Sequence, residues 1–527
     1  MRKRAAVACA LAAALLAGPD VPVTHGQTTA RPNIVVVLID DFDLTSLWTL
    51  VANGKMPNLT KYFISTGAIF TESFTVAGLG GPSRASILTG QYPHNHGVTS
   101  GFPPSGLEVM NDSSTVATWL QTAGYRTGHI GRYVTGYGWW TSKTRIPPGW
   151  NEWRTLIDPG SNNTENYKMN LQGAVVDFGQ LATSVGAQLH QVDILSLLAT
   201  DFVTRAPAFQ QPFFLMLSPG VFNVQTEPTY NVCPEANAPY YDPFFGGSPY
   251  GASQKPATRH MDTLFGDAVR YPVPRQPSFN EDDITDKPVW IQYPAYFTAA
   301  VIDCLQKRQW RKLEGMLSVD EMIGSVFGEM ERNGTLANTV AIFTSDNGWM
   351  DGQHRVSGKG SPYEEAIRTP LMIRQPGGTQ PRLITKLVLN TDIAPTIAAL
   401  ARATMTHVVD GRTLVPLMQN PDLATWRKIA LLQYQGDYDP FAQKALPPSY
   451  SAVRTDRPRA SMFARYPTVL AGLEGEYYDL AQDPYELVNL FRTPARQPER
   501  DRLDLWMNAL KTCRGSVCQF LENAFTF

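Results

Sequence analysis

Residues 33–39 read Asn-Ile-Val-Val-Val-Leu-Ile, an apolar and mostly β-branched run with no polar alternate. A strand with one wet face alternates, so an unbroken run predicts a strand buried on both faces, as in a parallel sheet. Residues 213–217 (Phe-Phe-Leu-Met-Leu) and 339–344 (Thr-Val-Ala-Ile-Phe-Thr) repeat the pattern. Met316, Val319, Ile323, Phe327 and Met330 recur at spacings of three and four, and Asn333-Gly334 follows. That is an amphipathic helix with its stop signal. Strands alternating with such helices predict an α/β fold with helices on both faces of the sheet. Residues 226–289 are rich in Pro, Tyr, Phe and Gly and show no period. They predict an ordered insert over the sheet edge, either a lid or an inert excursion. Tyr477-Tyr478-Asp479-Leu480, followed by Asp483-Pro484, predicts a strand entering a turn. A small second domain is expected over residues 421–527.

The N-terminus departs from this pattern. Arg2, Lys3 and Arg4 precede a short apolar run from Ala5 to Leu16, and small and breaker residues follow. This predicts a secretory signal peptide over residues 1–27, the alternative being an N-terminal anchor. No later stretch reaches the roughly 18 apolar residues of a membrane span. The expected location is therefore secreted or periplasmic, where disulfides persist. Cys9 belongs to the apolar run. Cys513 and Cys518 flank a short loop and Cys233 and Cys304 bracket the insert, as two bridges or as free thiols.

At 527 residues the chain exceeds one compact core. Its 45 Lys and Arg nearly balance 47 Asp and Glu, which excludes a basic nucleic-acid footprint but not a local cationic pocket. Asp40 and Asp41 follow the first strand, and Asp346 and Asn347 follow the strand at 339–344. Ligands collect at the carboxyl ends of parallel strands, so the two pairs can be neighbours in space. All four offer oxygen, which suits calcium or magnesium better than zinc. Alternatively they are turn and cap residues.

The segment from Gly80 to Gly97 reads Gly-Gly-Pro-Ser-Arg-Ala-Ser-Ile-Leu-Thr-Gly-Gln-Tyr-Pro-His-Asn-His-Gly. It resembles the signature of the sulfatase family, in which Cys-x-Pro-Ser-Arg leads into a short helix and Thr-Gly. The Tyr-Pro-His-Asn-His continuation is most similar to the branch containing N-acetylglucosamine-6-sulfatases and related arylsulfatases. Asp40-Asp41 and Asp346-Asn347-Gly348 resemble the family's two metal pairs. Gly358-Lys359-Gly360 resembles its active-site lysine block, and Asp392 to Thr396, Asp410-Gly411-Arg412 and Tyr478 to Glu486 resemble later landmarks. The resemblance implies an alkaline-phosphatase-like fold: a large mixed sheet with helices on both faces over residues 31–420 and a small C-terminal α+β subdomain. It also implies one divalent cation, usually calcium, and a sulfated carbohydrate or aryl sulfate as ligand. Arg84, expected to open a helix, and Lys359 would meet the anion.

Three positions depart from the family pattern. Its nucleophile is a Cys or Ser oxidised to formylglycine, two residues before the proline; here that residue is Gly80, which has no side chain to oxidise. With Gly81 beside it, the pair is expected to loosen the loop. Arg132 stands in Gly131-Arg132-Tyr133 where the family has a lysine, and it cannot be deprotonated. Asn223 falls nearest the place of the family's general-acid histidine. Ser83 fails the nucleophile-elbow pattern at Ala85. The expectation is binding without formylglycine turnover; the alternative is a sulfate- or phosphate-ester hydrolase using metal-activated water or another nucleophile.

Overall fold

Strand β1 (Asn33–Ile39) lies in the middle of a ten-stranded sheet and feeds two cores at once. Val35, Val37 and Ile39 enter one apolar cluster, and Ile34, Val36 and Leu38 enter the other. Burial on both faces is why the run carries no polar alternate. The computed structural model describes residues 31–220, 254–292, 294–436, 447–466 and 474–527. The sheet continues with β2 (Gly67–Phe70), β3 (Arg126–Gly131), β4 (Glu152–Leu156), β5 (Lys168–Leu171), β6 (Ala174–Asp177), β7 (Phe213–Ser218), β8 (Thr339–Ser345), β9 (Leu371–Arg374) and β10 (Arg382–Ile384). Their spatial order is β10-β2-β9-β8-β1-β7-β3-β4-β5-β6. The five strands from β8 to β4 are mutually parallel, and β9, β5 and β6 introduce antiparallel pairings.

Helices α1 (Gly80–Thr89), α2 (Val116–Thr122), α3 (Gln191–Arg205), α4 (Ala299–Arg332) and α5 (Ile393–Ala401) cover the sheet. Helices α3 and α4 pack on one face, and α1, α2 and α5 on the other. The predicted helix around Met316–Met330 is the second half of α4, which spans 34 residues. Its first half escaped the period because it buries Arg308, Gln309, Arg311, Lys312 and Glu314. These are paired: Lys312 Nζ donates to Asp43 Oδ2 at 2.7 Å and also bonds Asp351, and Arg311 meets Glu314 at 2.7 Å. Residues 264–273 pack along α4, with Leu264 and Tyr271 in its core and Val273 N donating to Gln306 Oε1 at 2.9 Å, while Ile284 joins the core of the C-terminal sheet.

A second, four-stranded antiparallel sheet follows: β11 (Ile429–Tyr434), β12 (Tyr450–Thr455), β13 (Ser461–Tyr466) and β14 (Glu474–Asp479). Helices α6 (Gln497–Leu510) and α7 (Ser516–Ala524) pack with it. Its core also takes in Phe74, Tyr92 and Tyr363 from the larger part of the chain. The Cys513 and Cys518 sulfurs are bonded, with Cα atoms 5.0 Å apart. Cys304 is buried, while Cys233 and residues 1–27 lie outside the described residues.

Candidate active site

Strands β8, β1, β7 and β3 end together, and their register lines up the next residues. Ile39 pairs with Ser345, so Asp40 and Asp346 leave adjacent strands side by side. Gly131 pairs with Ser218 of β7, which places Arg132 at the end of β3, two strands from Asp40. Gly131 has φ 115°, and a Cβ there would fall 2.0 Å from the Ser218 carbonyl oxygen, so only glycine allows this approach. Asp41 adopts a left-handed φ of 53°, a conformation Asp tolerates better than most residues.

The four predicted ligands converge. Carboxylate oxygens of Asp40, Asp41 and Asp346 lie within 4.8 Å of one another, and all three residues are buried. Asn347 Nδ2 donates to Asp41 Oδ1 at 2.7 Å. Asp41 N and Asn347 N donate to Asp346 Oδ1 at 3.0 and 2.9 Å. Two buried oxygens, Asp41 Oδ2 and Asn347 Oδ1, have no hydrogen-bond partner. Orphaned buried acceptors are costly, and a hard cation would satisfy both. The donor set therefore fits an oxygen-loving divalent ion.

Three cations close the cluster. Arg84 donates through Nε to Asp346 Oδ2 at 2.7 Å and through Nη2 to Asp40 Oδ1 at 2.8 Å. Its Nη1 meets the Arg132 carbonyl and Ser218 Oγ at 2.9 and 2.8 Å. Arg132 Nη1 bonds Asp40 Oδ2, and its buried Nε has no partner. Lys359 Nζ donates to Asp41 Oδ1 at 2.5 Å, and Gly360 N binds the Gly78 carbonyl at 2.8 Å, tying the lysine loop to the entry of α1. Burial pushes the Asp346 carboxyl up to about 7, with Asp40 and Asp41 adding to Arg84's losing contest. Burial opposes the Asp40 charge too, but Arg132, Arg84 and Lys359 together hold it below the usual carboxylate range. Burial also raises Asp41, against Lys359.

Two expectations need correction. Arg84 does not open its helix: α1 begins at Gly80, and Arg84 sits a full turn inside it. Nor do the paired glycines loosen a loop. They form the buried first turn of α1, and a Cβ on Gly81 would meet the Ser100 carbonyl oxygen at 3.0 Å. A Cβ on Gly80 would lie 3.1 Å from Asp346 Oδ2 and 3.8 Å from both Asn347 Oδ1 and Thr135 Oγ1. The position assigned to the nucleophile thus faces the acidic cluster. Ser83 is a buttress: its Oγ bonds the Asp346 carbonyl and accepts from Asn390 Nδ2 at 2.9 Å. Asn223 lies outside the described residues. Sequence reasoning missed Ser218, Thr135 and Asn390, which carry no local motif and reach the site only through sheet register and loop packing.

Similarity to known proteins agrees with this arrangement. Residues 32–403 match the family described as Sulfatase, and residues 352–512 match the C-terminal region described as N-sulphoglucosamine sulphohydrolase. An arylsulfatase of Volvox carteri is 28% identical, over 94% of this chain and 77% of its own length. The N-acetylglucosamine-6-sulfatase of Homo sapiens is 27% identical, over 93% of this chain and 86% of its own. A structure solved in complex with its substrate D-glucosamine-2-N,6-O-disulfate superposes with a TM-score of 0.66 at 22% identity, covering 91% of this chain and 97% of that one. That likeness extends the shared fold over both sheets, and the match across residues 32–403 decides the relationship: this chain belongs to the sulfatase family.

Proposed function

We propose that this protein is an extracytoplasmic member of the family that binds sulfated glycans or aryl sulfates without formylglycine-dependent turnover. The observation that carries this reading is Gly80: the position facing Asp346 and Asn347 has no side chain to oxidise or to attack with. Asp40, Asp41, Asp346 and Asn347 would hold a divalent cation, calcium or magnesium. That ion would supply charge neutralisation for a bound anion. Three carboxylates here face Arg84, Arg132 and Lys359. A divalent ion would therefore leave the cluster with excess positive charge suited to a sulfate. Arg84, fixed by four hydrogen bonds, would orient the ligand rather than react with it. Relatives that include extracellular sulfatases support the location.

The test is steady-state hydrolysis of a chromogenic aryl sulfate alongside calorimetric binding of sulfated sugars, both in calcium. Binding with negligible turnover is the expected result, because interactions specific to the transition state are missing while those for the ground-state anion remain. Robust metal-dependent turnover, lost in Asp346→Ala, would overturn this reading in favour of metal-activated water.

A further inference from the structure

Trp139 and Trp140 are 43% and 39% exposed, yet their rings stack at 4.7 Å and 13°. Half-buried Phe102 meets Trp139 edge-on at 6.0 Å. The two indoles are held parallel, and each keeps part of its ring open to water. The patch is built on the site. Trp139 N and Trp140 N donate to the Gly136 carbonyl at 3.0 and 2.9 Å. The Trp140 ring lies so close over Gly136 that a Cβ there would meet Cδ1 at 2.6 Å. The preceding residue, Thr135, is the one whose Oγ1 faces Gly80. Phe102 stands on the loop whose Ser100 carbonyl packs on Gly81. Both loops that carry the aromatics therefore flank the first turn of α1. Trp139 and Trp140 follow Thr135 by four and five residues, so about 3.8 Å per residue keeps them within roughly 15–19 Å of it.

We propose that Trp139 and Trp140, with Phe102 behind them, form a stacking platform for a pyranose ring adjoining the sulfated residue, so that the ligand is an oligosaccharide. This rests on the anion-binding reading above and deepens it. The ring of an aryl sulfate is joined directly to the sulfate oxygen and reaches less far from it than a glycan chain does. A glycan extends one sugar further, and the apolar C–H face of a pyranose suits a flat indole while its hydroxyls stay in water. Ser142, Lys143 and Thr144, exposed just beyond the indoles, offer polar groups at the rim.

The experiment measures binding of N-acetylglucosamine 6-sulfate and of a heparin tetrasaccharide to the full chain in calcium, for wild type, Trp139→Ala, Trp139→Phe and Trp140→Phe. Wild type should bind the tetrasaccharide more tightly than the monosaccharide. Trp139→Ala should weaken tetrasaccharide binding roughly 3- to 10-fold, the worth of a lost aromatic stack, and leave monosaccharide binding unchanged. The phenylalanine variants should retain part of the advantage. Because these substitutions are neutral, the extra charge of the tetrasaccharide cannot account for a loss. An unchanged tetrasaccharide-to-monosaccharide ratio in Trp139→Ala would overturn the platform and leave the anion site standing. Failure of wild type to bind either sugar would overturn the anion-site reading, and the platform with it.

Discussion

At the scale of single residues, two neighbouring glycines at the start of α1 sit in different surroundings. Gly80→Cys adds a Cβ 3.1 Å from Asp346 Oδ2, a contact a small side-chain shift relieves. The variant should fold, yet even with the maturation enzyme present it should hydrolyse aryl sulfates well below the rate of the triple variant Gly80→Cys, Arg132→Lys, Asn223→His. Loss of a general acid, as proposed at Asn223, would alone cost roughly 10²–10⁴-fold, and Arg132 grips Asp40 where a lysine would end in a point charge. Steady-state kinetics on both variants checks this; full activity from Gly80→Cys alone would show Arg132 and Asn223 to be harmless. Gly81 behaves differently, because the obstructing atom is a backbone carbonyl. Gly81→Ala should destabilise by about 1–3 kcal/mol in urea unfolding, the range for overpacking.

At the scale of elements, helix α4 illustrates how buried charge hides a helical period. Lys312 bonds both Asp43, which caps the helix at Leu44–Ala52, and Asp351, at the start of the segment leading to Lys359. Removing one partner from a buried ion cluster typically costs about 3–5 kcal/mol. Lys312→Ala should therefore cost that much in urea unfolding, because it leaves both Asp43 and Asp351 buried without their lysine. Two buried histidines set an acid limit at the same scale. Burial holds His96 on the short helix Pro93–His96, and His129 in β3, down at about 3. An unfolded histidine titrates near 6.5, so below that pH the unfolded chain takes up protons the folded one refuses. Stability from these two groups is thus complete above about pH 6.5 and falls toward pH 3 by about 1.4 kcal/mol per pH unit per histidine. Urea melts between pH 6.5 and 4.5 should show a shallower slope for His129→Gln than for wild type.

Across the whole molecule, one buried ion network joins the two sheets. Arg427, just before β11, meets Asp392 through both terminal nitrogens at 2.6 and 2.8 Å and Glu522 of α7 through Nε at 2.8 Å. Arg412 bonds the same glutamate, and Tyr92 donates to it at 2.6 Å. Asp410, from the segment linking the sheets, accepts from Gly515 N at 2.7 Å, between the bonded cysteines. Cation binding acts at this scale as well. Calcium at about 100 times its dissociation constant should stabilise the fold by about 2.7 kcal/mol, since the ligands are gathered only in the native state. Calorimetric melting with calcium and with EDTA checks this, and an unchanged melting temperature would count against the site.

The fold class was legible in the sequence because burial on both faces leaves an unmistakable unbroken run, as at residues 33–39. The candidate ligands were legible too, since acidic residues directly after two such runs must emerge at one sheet end if the strands are parallel. That Gly80 carries no side chain is likewise a property of the sequence itself. The rest depended on tertiary structure. Register placed Asp40 beside Asp346 across about 300 residues, and no local pattern encodes which strands pair. Ser218, Asn390 and Thr135 became part of the site only by packing. The first half of α4 stayed hidden because its charges find partners that exist only in the folded chain. The stacked indoles at Trp139 and Trp140 carried no motif; their meaning comes from the loop that also sets Thr135 beside Gly80.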